Sequence, residues 1–198
     1  MHVINLKMYN YHRSNEYDSL WVPGNTFIID GNTRNFYNSK TEKIPHIDTI
    51  LEGLYSRLYY IDSDMSPEER KEYVKNIQNQ IFSYERIVRE LALEDARLKY
   101  APFKPSRLTS IWLTKEDALE YWGQVIKDSE LYEVSVTGKL FHTSSEQLPL
   151  VSEQRSYYEM VRNCKKYWRP SISLFTSDKT KDEYLFQGKV KVLKKIEK

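Results

Sequence analysis

Apolar and polar positions alternate at both ends of the chain and recur at helical spacing in the middle. Ile4, Leu6 and Met8 share one parity between Val3 and Tyr11, with Asn5 and Lys7 on the other, which predicts a half-buried strand. Pro23-Gly24-Asn25 marks a turn, and Thr26 to Ile29 reads as a second short strand closed by Asp30-Gly31-Asn32. Residues 32–46 read as loop. Ile50, Leu51, Leu54 and Leu58 predict a helix over Asp48 to Tyr60. Ser66-Pro67-Glu68-Glu69 is a helix start, with an N-cap serine, proline in the first turn and acids against the helix dipole. Val74, Ile77, Ile81, Tyr84, Val88, Leu91 and Leu98 then continue the helical spacing. A helix over 66–98 is about 50 Å long, against a diameter of about 40 Å for a compact chain of this size. One long helix that kinks or protrudes is expected. It carries seven acids and six bases, so it is no nucleic-acid arm.

Pro102 and Pro105 end the helical part. Thr109 to Leu113 predicts a strand, and Thr114 with Asp117 predicts a capped helix carrying Ala118, Leu119, Trp122 and Ile126. Leu131 to Val136 alternates as a strand. Thr137-Gly138-Lys139 then predicts a hairpin turn into Leu140-Phe141-His142. A helix is expected from Ser152 to Trp168, ending before Pro170. A polar loop over 171–181 precedes two strands, Glu183 to Phe186 and Lys189 to Ile196, parted by Gly188. The late strands are short and antiparallel in style. This order predicts an α+β fold, not a wound α/β sheet. No internal repeat appears.

Composition narrows the chemistry. The 198 residues suit one domain, in which 66–100 is a helical segment or an insertion. Only 6 glycines occur, and none is spaced as in G-x-G-x-x-G or a P-loop, so those phosphate-binding turns are excluded. Cys164 is the only cysteine, which excludes an intrachain disulfide and fits a reducing, cytoplasmic setting. Its place beside Val161 and Trp168 suits a buried small hydrophobe. The four histidines are scattered, so no metal site is expected. The first residues do not form a signal peptide, and no stretch reaches the length of a membrane span. The net charge is +2. Residues 189–198 hold five lysines and Glu197, a net +4, so the other residues carry −2. The basic tail reads as a solvated terminal strand.

Three polar clusters fall at strand ends: His12-Arg13, Ser106-Arg107-Leu108-Thr109-Ser110, and Asp182-Glu183. Their order, an Arg or His ending the first strand, a Ser-Thr-Ser-like strand before a helix, and a Glu on a late strand, resembles the ADP-ribosyltransferase superfamily. The segments from Ser106 to Thr114, Glu120 to Trp122, Leu131 to Phe141 and Glu183 to Val192 also resemble a poorly characterised bacterial family placed there. The resemblance runs from Tyr9 to Ile196, less clearly across 32–100.

The resemblance implies split antiparallel sheets flanked by helices, NAD as substrate, and transfer of ADP-ribose to a protein or nucleic-acid acceptor. It implies no metal and no membrane partner. Glu183 would be catalytic, because a carboxylate on the ribose 2′-hydroxyl stabilises the oxocarbenium-like transition state. Arg13 would hold the pyrophosphate, with His12 the alternative on the opposite face of the strand. Thr109 or Ser110 would position the nicotinamide ribose or brace Glu183. Trp112 would stack on nicotinamide or belong to the core. Lys181 stands where arginine-modifying members carry a second Glu, so an arginine-directed activity is not implied. Leu108 interrupts the Ser-Thr-Ser match. Two other classes stay open: a non-catalytic interaction module using the long helix and the tyrosine-rich surface, and an RNA-acting toxin using His12 or His142.

Overall fold

The computed structural model describes residues 1–13, 18–33, 65–170 and 178–197. The predicted helix over 48–60 lies outside them. Five strands and four α-helices organise the described chain. The strands are β1 (His2–His12), β2 (Thr26–Ile29), β3 (Ile111–Leu113), β4 (Glu130–Ser144) and β5 (Asp182–Ile196). The helices are α1 (Pro67–Tyr100), α2 (Leu119–Val125), α3 (Tyr157–Asn163) and α4 (Lys165–Trp168). The fold is α+β, and every strand pairing is antiparallel. The described strands form one five-stranded sheet.

Strand order is β1-β4-β5-β2, and β3 pairs with β5 in line with β2. Just past β3, Thr114 exchanges both backbone hydrogen bonds with Tyr9 of β1, each 2.9 Å. Since β1 pairs with β4 on its other edge, the ring β1-β4-β5-β3 closes at this end. Thr114 is therefore committed to the sheet. The following turn starts at Lys115 without a side-chain cap, so the Thr114–Asp117 capping arrangement does not form.

Two predicted breaks are not breaks. β4 runs unbroken through Gly138, and β5 through Gly188. These glycines face each other in register. A Cβ on Gly138 would lie 2.4 Å from the Gln187 carbonyl oxygen, and one on Gly188 would lie 2.5 Å from the Thr137 carbonyl oxygen. Their φ angles are +156° and +143°. The glycines let two long bent strands touch; they do not turn the chain. The late strands are accordingly 15 residues each, not short.

The first strand also departs from strict alternation. Its register against β4 shifts between Val3 and Leu6, and Asn5 has φ +49°. The irregularity turns Ile4 out to solvent, at 74% exposure, while Val3, Leu6 and Met8 stay on the apolar face.

That inner face packs Met8, Leu113, Leu140, Tyr184, Phe186 and Val190 into one core with Trp21. On the outer face, Phe141 and Leu185 meet the helices through Leu93, Met160, Tyr167 and Trp168. The long helix forms as one element of 34 residues. Ser66 and Glu69 make a complete capping box at its start. Its second half supplies the buried Ala92, Leu93 and Ala96, whereas Val74, Ile81 and Phe82 in its first half are exposed. The helix predicted from Ser152 starts later, at an N-cap made by Ser156 on the Glu159 amide.

The strand contact at Gly188 generates a stability prediction. Gly188→Ala lowers unfolding free energy by about 2–4 kcal/mol, from steric overlap plus a disfavoured φ. Gly31→Ala, which meets nothing within 4 Å, stays within about 0.5 kcal/mol of wild type. Urea unfolding followed by circular dichroism measures both.

Candidate functional site

The most unusual chemistry lies between α1 and the start of β5. Arg107 and Glu90 are 3% and 0% exposed, and Glu183 is 4% exposed. Arg107 grips Glu90 bidentately, with Nε to Oε2 at 2.7 Å and Nη2 to Oε1 at 3.1 Å. Its Nη1 donates to Oε1 of Glu183 and to the Tyr167 hydroxyl. That hydroxyl also donates to Oε1 of Glu183. The guanidinium lies 4.9 Å from the Tyr167 ring centre and 5.3 Å from the Trp112 ring centre. One cation thus binds two carboxylates between two aromatic faces.

The approach of Arg107 is fixed locally. After α1, the loop from Ala101 folds back on the helix because Arg97 donates to the carbonyls of Pro102 and Lys104. Arg97 also holds Glu94, whose other oxygen accepts the Ser106 hydroxyl at 2.8 Å. Ser106 Oγ in turn accepts the Leu108 amide. These bonds pin both neighbours of Arg107 and point its side chain under the helix. Tyr167 is set from the other side: Thr143 donates to its carbonyl, and Trp168 beside it donates to the Leu93 carbonyl.

Burial and charge act together on these groups. Burial alone would lower the Arg107 pKa. The fields of Glu90, Tyr167 and Glu183 outweigh it and hold Arg107 well above its ordinary value. Burial raises Tyr167 well above the usual phenol range; Arg107 opposes and Glu183 adds to the rise. Both groups therefore keep their protons at neutral pH and act as donors. Cys164, wholly buried in the same helix-facing core, has its thiol pushed up to about 12, chiefly by burial.

The sequence-predicted residues are dispersed around this cluster. Glu183 is inside it. Trp112 lies against the Arg107 guanidinium and the helix-facing core. Thr109 accepts Gln187 Nε2 on its hydroxyl at 2.8 Å, tying the loop to β5. Ser110 is wholly buried just before β3. His12 is on the inner face, stacked on Trp21 with ring centres 4.8 Å apart, so the sheet separates it from Glu183. Arg13 is exposed beyond the end of β1, and no contact joins it to Glu183.

Sequence reasoning missed Glu90 and Tyr167 as members of this group. The legible signal was Glu90 itself, on the same side of the predicted helix as the apolar Leu93. A second pair was missed as well: His142 Nε2 lies 2.7 Å from Asp182 Oδ2, with the imidazole stacked on Tyr184 at 4.4 Å. Among the described residues no group of three His, Cys, Asp or Glu side chains is arranged to hold a metal. No described helix is long and apolar enough to cross a membrane.

Removing Arg107 strands two buried carboxylates. Arg107→Met is expected to cost about 3–5 kcal/mol of stability. Arg107→Lys is expected to recover less than half of that loss, since an ammonium lacks the bidentate fork. Chemical unfolding of the three proteins tests the ordering.

Comparison with known proteins places the chain without assigning a role. No curated protein matches it. The family model described as "Protein of unknown function (DUF2441)" matches residues 8–198, nearly the whole chain, and the protein belongs to that family.

Proposed function

We propose that this protein is a non-catalytic interaction module on an α+β scaffold. The observation that carries this reading is the state of Glu183. A carboxylate that stabilises an oxocarbenium-like ribose must come within about 3 Å of the 2′-hydroxyl. Glu183 is 4% exposed, and its Oε1 already accepts from Arg107 and Tyr167. The described residues also do not fit NAD as a set. Arg13 makes no contact with Glu183, and the His12 ring is covered by Trp21 on the other face of the sheet. The long helix suits a docking role, because its first half presents Val74, Ile81 and Phe82 to solvent.

An NAD-dependent ADP-ribosyltransferase, acting on a protein or nucleic-acid acceptor, is the second reading. The observation that favours it is the meeting of two predicted clusters. Arg107, from the Ser106–Ser110 cluster, is ion-paired with Glu183, and β3 lies between β5 and the Tyr9 end of β1.

Nicotinamide release and calorimetric NAD binding separate the two. The module reading predicts neither above a control protein, for wild type and for Glu183→Gln alike, with folding checked by circular dichroism. Turnover in wild type that Glu183→Gln abolishes would overturn it in favour of the transferase.

A further inference from the structure

The helices cover only part of the outer sheet face. Where they pack, the outward residues are Phe141, Leu185 and Glu183. Beyond them, along the same strands, the outward residues are polar: the half-buried Ser135 and Thr137 and the exposed Lys139 on β4, and the exposed Lys189 and Lys191 on β5. The alternate residues Val134, Val136, Val190 and Val192 fill the inner core. Among the described residues no helix packs on this stretch of the outer face.

The strand register arranges this face as a grid. Lys7, Ser135, Lys191 and Thr26 lie in one row across β1, β4, β5 and β2. Thr137, Lys189 and Ile28 form the next row, and Lys139 stands beyond it opposite Gln187. Lys189 and Lys191 are about 6.6 Å apart along the strand, and Lys7 and Lys191 are two strand spacings apart, about 9.6 Å. Carboxylates stand beside the grid as well. Glu133 is taken by Lys7 at 3.1 Å and Lys194 at 3.5 Å. Glu116 and Asp117 line the same hollow as Lys7, and Asp30, just past Ile29, accepts the Asn32 amide. Lys139, Lys189 and Lys191 make no ion pair with any described residue and are exposed.

We propose that this face docks the phosphate backbone of a nucleic acid. Four lysines spread over three strands exceed what a single phosphate group can span. A nucleic-acid duplex presents about one charge per 1.7 Å of axis and meets them together. The hydroxyls of Thr26 and Ser135 beside the lysines are the kind of donor that fixes phosphate oxygens, whereas the Thr137 hydroxyl is held by Asn5. His2 is the ring in these rows, opposite Lys139; with no described Phe, Tyr or Trp there to stack on bases, the face reads backbone charge. The inference names a partner class for the interaction module, and its test needs no NAD. Failure to bind nucleic acid would leave the module reading standing, and NAD turnover would leave this surface standing.

The experiment is fluorescence anisotropy with a short labelled single-stranded RNA and a duplex DNA, titrated with the full chain between about 50 and 200 mM salt. Wild type is expected to bind both with a steep salt dependence. Lys139→Glu combined with Lys189→Glu and Lys191→Glu should weaken binding at least about tenfold and reduce the salt slope by about 2 to 3. An equal charge reversal on the exposed side of the α3–α4 segment (Arg155→Glu, Lys165→Glu and Lys166→Glu) should change affinity less than about twofold. The proposal is overturned if wild type binds neither polymer at the lowest salt. It is equally overturned if both triple variants weaken binding alike, or if wild type binds only anionic phosphatidylserine vesicles.

Discussion

The pairing of Arg107 with Glu90 and Glu183 joins, through buried charge, parts of the chain that the apolar core beside it also brings together. Glu90 is on the long helix, Arg107 on the loop after it, Tyr167 on the last short helix, and Glu183 at the start of the final strand. Each charge is out of water, so each depends on the others. The attraction across such a cluster does not by itself guarantee net stability, because desolvation offsets much of it. Its effect is on uniqueness: an arrangement that leaves α1 or the 101–110 loop elsewhere strands at least one buried charge. The apolar contacts of Leu93, Met160 and Trp168 supply burial energy around it, and the ionic core selects one docking of the helices on the sheet.

The same cluster divides the outer face in two. On the Glu183 side of the Gly138–Gly188 contact, helices cover the sheet and its outward side chains are apolar or ion-paired. On the other side no described helix covers the sheet, and its outward side chains are lysine, serine and threonine with the exposed Ile28. The composition of the last strand follows this division. Glu183 and Leu185 precede the glycine and face the helices, while Lys189 and Lys191 follow it and face solvent. The carboxylate of Glu183, placed as a catalyst by sequence order, thus has structural partners in Arg107 and Tyr167 on its Oε1. Lys189 and Lys191, expected on a solvated terminal strand, are exposed on β5.

Local signals were legible where they act within a few residues. Ser66-Pro67 with Glu69 fixed the start of the long helix, and the β-branched run at Thr26–Ile29 marked a strand. The α+β class and the antiparallel pairing also followed from element order. Longer-range effects were hidden. Gly138 and Gly188 looked like turn signals because the reason for each glycine is the other one, fifty residues away. Thr114 looked like a helix cap because its partner, Tyr9, is more than a hundred residues distant. Glu90 and Tyr167 carried no motif, since a buried ion pair has no fixed sequence spacing. The order of Arg13 or His12, Ser110 and Glu183 was readable, but the sheet face of each was not, and the face decides whether they can share a ligand.

A double-mutant cycle between Arg107 and Glu183 tests the central claim most directly. Glu183→Gln is measured for unfolding free energy in the wild-type background and in Arg107→Met. If the pair organises the packing of helix on sheet, the loss in the wild-type background exceeds that in Arg107→Met by about 1–3 kcal/mol, since the second change removes a charge already stranded. Additive losses, within about 0.5 kcal/mol, would mean that Arg107 and Glu183 act independently and would contradict the account.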